Sequence, residues 1–269
     1  MRTDLLMSVQ GLSVSFWEEK RQLQALKDVS FDIPKSRTVC LVGESGCGKS
    51  VTARTLLQII GANATIDNGI IHYSDPDGAI MDISSLKPGS KALRQLRGND
   101  VTMIFQEPMT ALSSFYTIGN QILEALRQHE RVSRKQARAR GIEALEAVGM
   151  PDPEAQLNSY TFELSGGQRQ RAMIAMALIT KPRLLIADEP TTALDVTTQA
   201  VILDLMLEIQ KKFEMSILFI THDLGVVSEI ADEVVVMYLG EVVESGPVEQ
   251  ILLSPRHPYT RALISAAPR

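Results

Sequence analysis

Short apolar, β-branched runs along the chain alternate with stretches of helical spacing. Met7 to Phe16 and Leu23 to Ile33 carry alternating apolar and polar positions on either side of the charged stretch Trp17 to Gln22, which predicts an N-terminal β-hairpin. Thr38 to Val42 is a continuous apolar run that enters a glycine-rich stretch, and Lys49 to Ile60 then has helical spacing, so strand, loop and helix follow one another. Further buried strands are predicted at Val101 to Phe105, Arg183 to Ala187, Ser216 to Ile220 and Val234 to Leu239. Strands alternating with helices predict an α/β fold around a mainly parallel sheet. Between about Pro108 and Glu163 the pattern is helical, rich in Ala, Leu, Gln, Glu and Arg and without a strand signal, which predicts an inserted helical subdomain. His257 to Ala267 reads as a short helix with Pro258 near its first position.

At 269 residues the chain is long enough for a sizeable core. Its 27 basic and 32 acidic residues leave a net charge of -5, which offers no bulk attraction for nucleic acid or anionic lipid. The basic run Arg131 to Arg140 lies in the helical stretch and reads as a solvated helix face. Cys40 and Cys47, with no second pair and no nearby histidine, outline neither a disulfide framework nor a zinc site, so a reducing cytoplasmic setting is expected. No signal-peptide pattern opens the chain and no run approaches a membrane span, so a membrane role is expected to come through partners.

Three segments carry chemistry. Gly43-Glu44-Ser45-Gly46-Cys47-Gly48-Lys49-Ser50 matches the phosphate loop G-x-x-x-x-G-K-S in its required setting between strand and helix. Its glycines let backbone N–H groups turn toward phosphate oxygens, the helix N-terminus adds positive potential, Lys49 reaches the terminal phosphates and the Ser50 hydroxyl ligates Mg²⁺. A dinucleotide fingerprint is a poorer match, because Val51 stands where its third glycine belongs. Cys47 occupies a variable loop position and reads as a small residue that fits. Asp188 and Glu189 end the apolar strand Leu184 to Ala187, at the strand edge where open α/β sheets bind ligands. Mg²⁺ would compensate Asp188, and Glu189 would polarise the attacking water; a helix cap or turn would also place carboxylates there. Leu164-Ser165-Gly166-Gly167-Gln168 precedes a helix-like segment and reads as a second anion site within a composite nucleotide site, or as a Ser-Gly-Gly turn that caps the helix.

In this order the three segments resemble the nucleotide-binding subunit of an ATP-binding cassette (ABC) transporter, and the likeness covers nearly the whole chain. It implies a P-loop NTPase, RecA-like core with an N-terminal antiparallel β subdomain. On this reading residues 1–107 and 164–269 form the core and residues 108–163 the helical subdomain of a single nucleotide-binding domain. Gln106 resembles the Q-loop glutamine that senses Mg²⁺, Ala193-Leu194-Asp195 the D-loop, and His222 the switch histidine at the γ-phosphate. Phe16 is similar to the aromatic that stacks on adenine, with adjacent Trp17 and plain core packing as alternatives. The resemblance implies ATP and Mg²⁺ as cofactors, gripped by Gly43 to Val51 of one subunit and by the loop of Ser165, Gly166, Gly167 and Gln168 of another in a head-to-tail dimer, with Asp195 of the D-loop also among the nucleotide-binding residues.

Finer likeness in VGESGCGKSVTA, MIFQEPMTALSSFYTIGNQI, ITHDLGVVSEIAD and HPYTRAL points to the oligopeptide and dipeptide (nickel) importer branch, and GKSVTA to the first, D-type, of its two paired ATPases. The partners implied are a homologous ATPase in a heterodimer, or failing that a homodimer, two membrane permease subunits and, indirectly, an extracytoplasmic solute-binding protein. No nucleic acid is expected. The place implied is the cytoplasmic face of the inner membrane, and the cargo short peptides or a related small solute. Tyr160-Thr161-Phe162-Glu163 departs from the branch's usual Tyr-Pro-His-Glu, and no cysteine follows Cys47, so no iron–sulfur cluster is expected. A soluble ABC ATPase acting on ribosomes, DNA or cluster assembly is the alternative function. A regulatory module is a third, and would be expected to lack the carboxylate that Glu189 supplies.

Overall fold

The N-terminal strands run further in the structure than the sequence pattern marks. The structure is a computed structural model that describes residues 4–19, 21–106, 111–192 and 194–266. In chain order, β1 (Leu5–Glu18), β2 (Arg21–Pro34) and β3 (Thr38–Val42) precede α1 (Lys49–Leu56), β4 (Ala64–Ser74), β5 (Ile80–Asp82) and α2 (Lys91–Leu96). Next come β6 (Val101–Ile104), α3 (Ile118–Arg127), α4 (Arg134–Ala147), α5 (Pro153–Gln156), α6 (Gly166–Leu178), β7 (Leu184–Asp188) and α7 (Val196–Phe213). The chain closes with β8 (Ser216–Thr221), α8 (Leu224–Ile230), β9 (Glu233–Tyr238), β10 (Glu241–Pro247), α9 (Val248–Leu253) and α10 (Pro258–Ala266). Ala267, expected to end the last helix, lies outside the described residues.

Two compact units result, Met1–Leu93 with Glu214–Arg269, and Arg94–Phe213. The first holds an antiparallel sheet in the order β2-β1-β4-β5, its core made by residues such as Val9, Leu12, Val14, Val29 and Ile33. It also holds strands in the order β10-β9-β3-β8. β3 runs parallel to both β8 and β9, with Val39 opposite Leu218 and Cys40 opposite Val234. Every residue of β3 and β8 is buried, which is why both read as unbroken apolar runs. The sequence pattern marks none of β4, β5 and β10. Asp67, Asn68 and Gly69 interrupt the alternation of β4, and pairing with β1, Val9 opposite Ile71, holds it as a strand.

In the second unit β6 and β7 pair in parallel, Val101 opposite Leu184. The segment expected to be helical carries α3, α4, α5 and a 3₁₀ turn at Thr161–Glu163; its proposed first residue, Pro108, lies outside the described residues. Thr117 caps α3, and Ser133 with Gln136 forms a reciprocal capping box on α4. The basic run on α4 is partly neutralised locally: Arg138 pairs with Glu154 at 3.3 Å, and Arg140 pairs with Glu130 and donates to the Ile179 carbonyl at 2.6 Å.

Candidate functional site

Gly43 to Ser50 turns from β3 into α1. Gly43 (φ 151°) and Gly48 (φ 108°) adopt backbone conformations that a side chain rarely allows, and space forbids one as well. A Cβ on Gly43 would lie 2.3 Å from the Met237 carbonyl oxygen, and one on Gly48 2.7 Å from a Leu26 methyl carbon. The back of the loop thus rests on the end of β9, and the Gly240 N–H donates to the Cys47 carbonyl at 3.0 Å. Gly48 caps α1 without a side-chain hydrogen bond and no acidic residue occupies the first turn, an arrangement suited to an anion.

Lys49 is buried to 5% exposure. Its Nζ donates to the Gly43 and Glu44 carbonyls at 2.7 and 2.9 Å, bracing the loop from within, and lies 4.0 Å from the Cys47 Sγ. Burial raises the Cys47 thiol's pKa, with Lys49 opposing the shift, so the thiol stays protonated and of low nucleophilicity. That suits a space-filling residue. In the same unit His222 is exposed immediately beyond β8, between Thr221, whose Oγ1 accepts from the Asp223 N–H, and Asp223, which caps α8. Phe16 is half-buried near the end of β1, whereas Trp17 is exposed and its indole N–H donates to the Thr65 Oγ1 at 3.4 Å. Strand alternation sends these neighbours to opposite faces.

In the second unit β7 delivers Asp188, fully buried, and then Glu189, whose φ of 47° is unusual for a non-glycine residue. Such a conformation costs about 1–3 kcal/mol. Glu189 Oε2 accepts from Gln106 Nε2 at 3.0 Å and from Thr192 Oγ1 at 3.1 Å. Thr192 was not singled out from the sequence; its signal is local, a turn in which its own N–H donates to the Glu189 carbonyl at 3.2 Å.

Ser165 and Gln168 form a reciprocal capping box on α6: the Gln168 N–H donates to Ser165 Oγ at 3.3 Å, and the Ser165 N–H to Gln168 Oε1 at 2.9 Å. A Cβ at Gly166 would meet nothing, while one at Gly167 would lie 3.0 Å from Thr198 Cγ2. Asp195 caps α7, accepting from the Thr198 N–H at 2.9 Å and its hydroxyl at 2.6 Å. The hydroxyl bond first, then the N–H, hold its carboxyl below the usual range. Ala193, the first residue of the same motif, lies outside the described residues.

The sequence profile of the ABC transporter family matches residues 26–192, and that of the oligopeptide/dipeptide transporter C-terminal region matches residues 243–269. The chain is 47% identical over 265 residues to the dipeptide transport ATP-binding protein DppD of Bacillus subtilis, covering 98% of this chain and 77% of that protein. It is 46% identical over 269 residues to the oligopeptide transport ATP-binding protein OppD of the same organism, covering 100% and 73%. Among solved structures, cbiO1 from Clostridium perfringens, part of the ABC transporter complex cbiONQ, matches with a TM-score of 0.75 at 25% identity, over 93% of this chain and 92% of that one. The chain thus has the α/β cassette fold expected from the sequence.

Proposed function

The chain belongs to the ABC transporter family, and on that premise we propose that it is the ATP-hydrolysing subunit of a membrane importer for short peptides. The observation that carries the enzymatic part is the Glu189 carboxylate, presented at the end of β7 and oriented by Gln106 and Thr192. The C-terminal match and the peptide-transport relatives support the cargo class.

In this reading Gly43 to Val51 hold the ATP phosphates, Lys49 draws on their terminal oxygens, and Phe16 stacks on adenine. Glu189 takes the proton of the attacking water, with Gln106 orienting its carboxylate and His222 steadying the γ-phosphate. Ser50, Gln106 and Asp188 are the proposed metal ligands. A hydroxyl, an amide oxygen and a buried carboxylate are all hard oxygen donors, which fits Mg²⁺ with water and phosphate completing its shell. Bound there, Mg²⁺ would neutralise charge on the phosphates.

The chain is further proposed to be one nucleotide-binding domain, with residues 108–163 conveying closure to two permease subunits. Its partner would be a homologous ATPase, with a homodimer as the fallback, and a solute-binding protein would act outside the cell. None of the described helices is long and apolar enough to cross a membrane, so attachment to the cytoplasmic face would run through the permeases. The test is to assemble the chain with its permeases, partner ATPase and binding protein. Loading the binding protein with short peptides should raise ATP turnover several-fold, whereas equal turnover with and without peptide would sink the cargo assignment.

Ser165, Gly166, Gly167, Gln168 and Asp195 are assigned to the ATP of the opposite subunit. Ser165→Arg should therefore stop hydrolysis by the assembled dimer yet leave ATP binding to the isolated chain unchanged in fluorescence titration. Losing the Ser165 cap costs α6 about 1 kcal/mol, so a fold-wide collapse is not expected. Loss of binding by the isolated chain would show that the loop serves its own subunit.

A further inference from the structure

The HPYT stretch of the C-terminal region has no part in the mechanism above, yet it reaches the phosphate loop. Tyr259, half-buried in the first turn of α10, accepts a hydrogen bond through its hydroxyl from the Glu44 N–H at 3.1 Å. Its ring lies against Tyr238 with centroids 4.3 Å apart, next to the Met237 carbonyl on which Gly43 rests. The Glu44 N–H and the Gly43 carbonyl belong to one peptide unit. Lys49 Nζ holds that unit at its carbonyl and Tyr259 holds it at its N–H.

We propose that Tyr259 is a positioning residue for ATP binding, one that fixes the Gly43–Glu44 peptide plane so that the phosphate loop keeps its open form. A peptide next to glycine flips at little steric cost, and this one begins at a Gly43 whose φ is already 151°. Phosphate oxygens compete with the Gly43 carbonyl for the Lys49 ammonium. Once the lysine turns to them, the tyrosine hydroxyl still holds that plane. The motif around Tyr259 is built to hold it still. Glu244 on β10 accepts from the Arg256 and His257 N–H groups at 2.8 and 3.0 Å, and His257 Nδ1 accepts from the Tyr259 N–H at 3.2 Å. Burial alone would raise the Glu244 carboxyl's pKa, but the hydrogen bonds from the Arg256 and His257 N–H groups bring it below the usual range. The clamp therefore stays ionised at neutral pH.

This inference rests on the reading of Gly43 to Ser50 as the nucleotide site. Tyr259→Phe removes the hydroxyl and keeps the ring against Tyr238. In the assembled transporter it should raise KM for ATP about two- to tenfold, the worth of one hydrogen bond, with kcat at saturating ATP unchanged. The nucleotide-free thermal midpoint should fall by no more than about 4 °C, and amide exchange at Glu44 should quicken by a factor similar to that in KM. Unchanged KM and unchanged exchange, in a protein where Lys49→Ala loses nucleotide binding, would overturn the role given to Tyr259. So would an unchanged KM with a fall in kcat and a large fall in the thermal midpoint, which would mark a contact serving stability alone. Full nucleotide binding by Lys49→Ala would instead remove the site reading beneath the proposal.

Discussion

Replacing Glu189 with glutamine is expected to lower ATP turnover about 10²–10⁴-fold, the usual contribution of a positioned general base, while ATP remains bound and the closed dimer accumulates. The substitution is nearly isosteric. A glutamine side-chain oxygen can still accept from Gln106 Nε2 and Thr192 Oγ1, and the left-handed backbone at this position is no harder for Gln than for Glu. Only the capacity to take a proton is lost. Size-exclusion chromatography with Mg-ATP should therefore show more dimer for Glu189→Gln than for the parent chain. Retained turnover would remove Glu189 from its assigned role. Thr192→Val should lower turnover less, because Gln106 would still hold the carboxylate.

The parts of the site that were readable from the sequence are those whose chemistry is contiguous. The phosphate loop needs glycines, a lysine and a hydroxyl within eight positions, and strand β3 and helix α1 stand on either side of it as expected. The Ser165 to Gln168 stretch is also local, and the structure has the helix cap that the structural alternative foresaw, since Ser165 and Gln168 satisfy each other's N–H groups. What stayed hidden is what tertiary folding alone brings together. Gln106 meets Glu189 across 83 residues, and Tyr259 meets Glu44 across 215, so no spacing rule could pair them. β4 escaped for a related reason. Its polar interruption at Asp67, Asn68 and Gly69 contradicts the strand pattern, and the β1 ladder overrides that local preference. Wholly buried strands such as β3 and β8 were plain because burial on both faces leaves an unbroken apolar run.

Lys49→Ala should abolish hydrolysis chiefly by removing nucleotide binding. The ammonium is the one charged donor that the phosphate loop carries, and charge-assisted hydrogen bonds contribute about 1.5–3 kcal/mol each, so two to a terminal phosphate would account for a loss of two or more orders of magnitude in affinity. Part of that loss has a second origin. Without Nζ the Gly43 and Glu44 carbonyls lose their partner, and the loop loses its internal brace. Lys49→Met separates both of these ammonium effects from the packing of the buried stem, because it keeps most of the stem and removes Nζ. If the ammonium dominates, Met and Ala should weaken Mg-ADP binding alike in isothermal titration. If stem packing dominates, Met should retain most of the affinity, and the lysine would be a structural strut whose charge matters little. The buried setting favours the first outcome: an ammonium at 5% exposure has exchanged most of its hydration for two carbonyls, and phosphate oxygens are stronger partners than either.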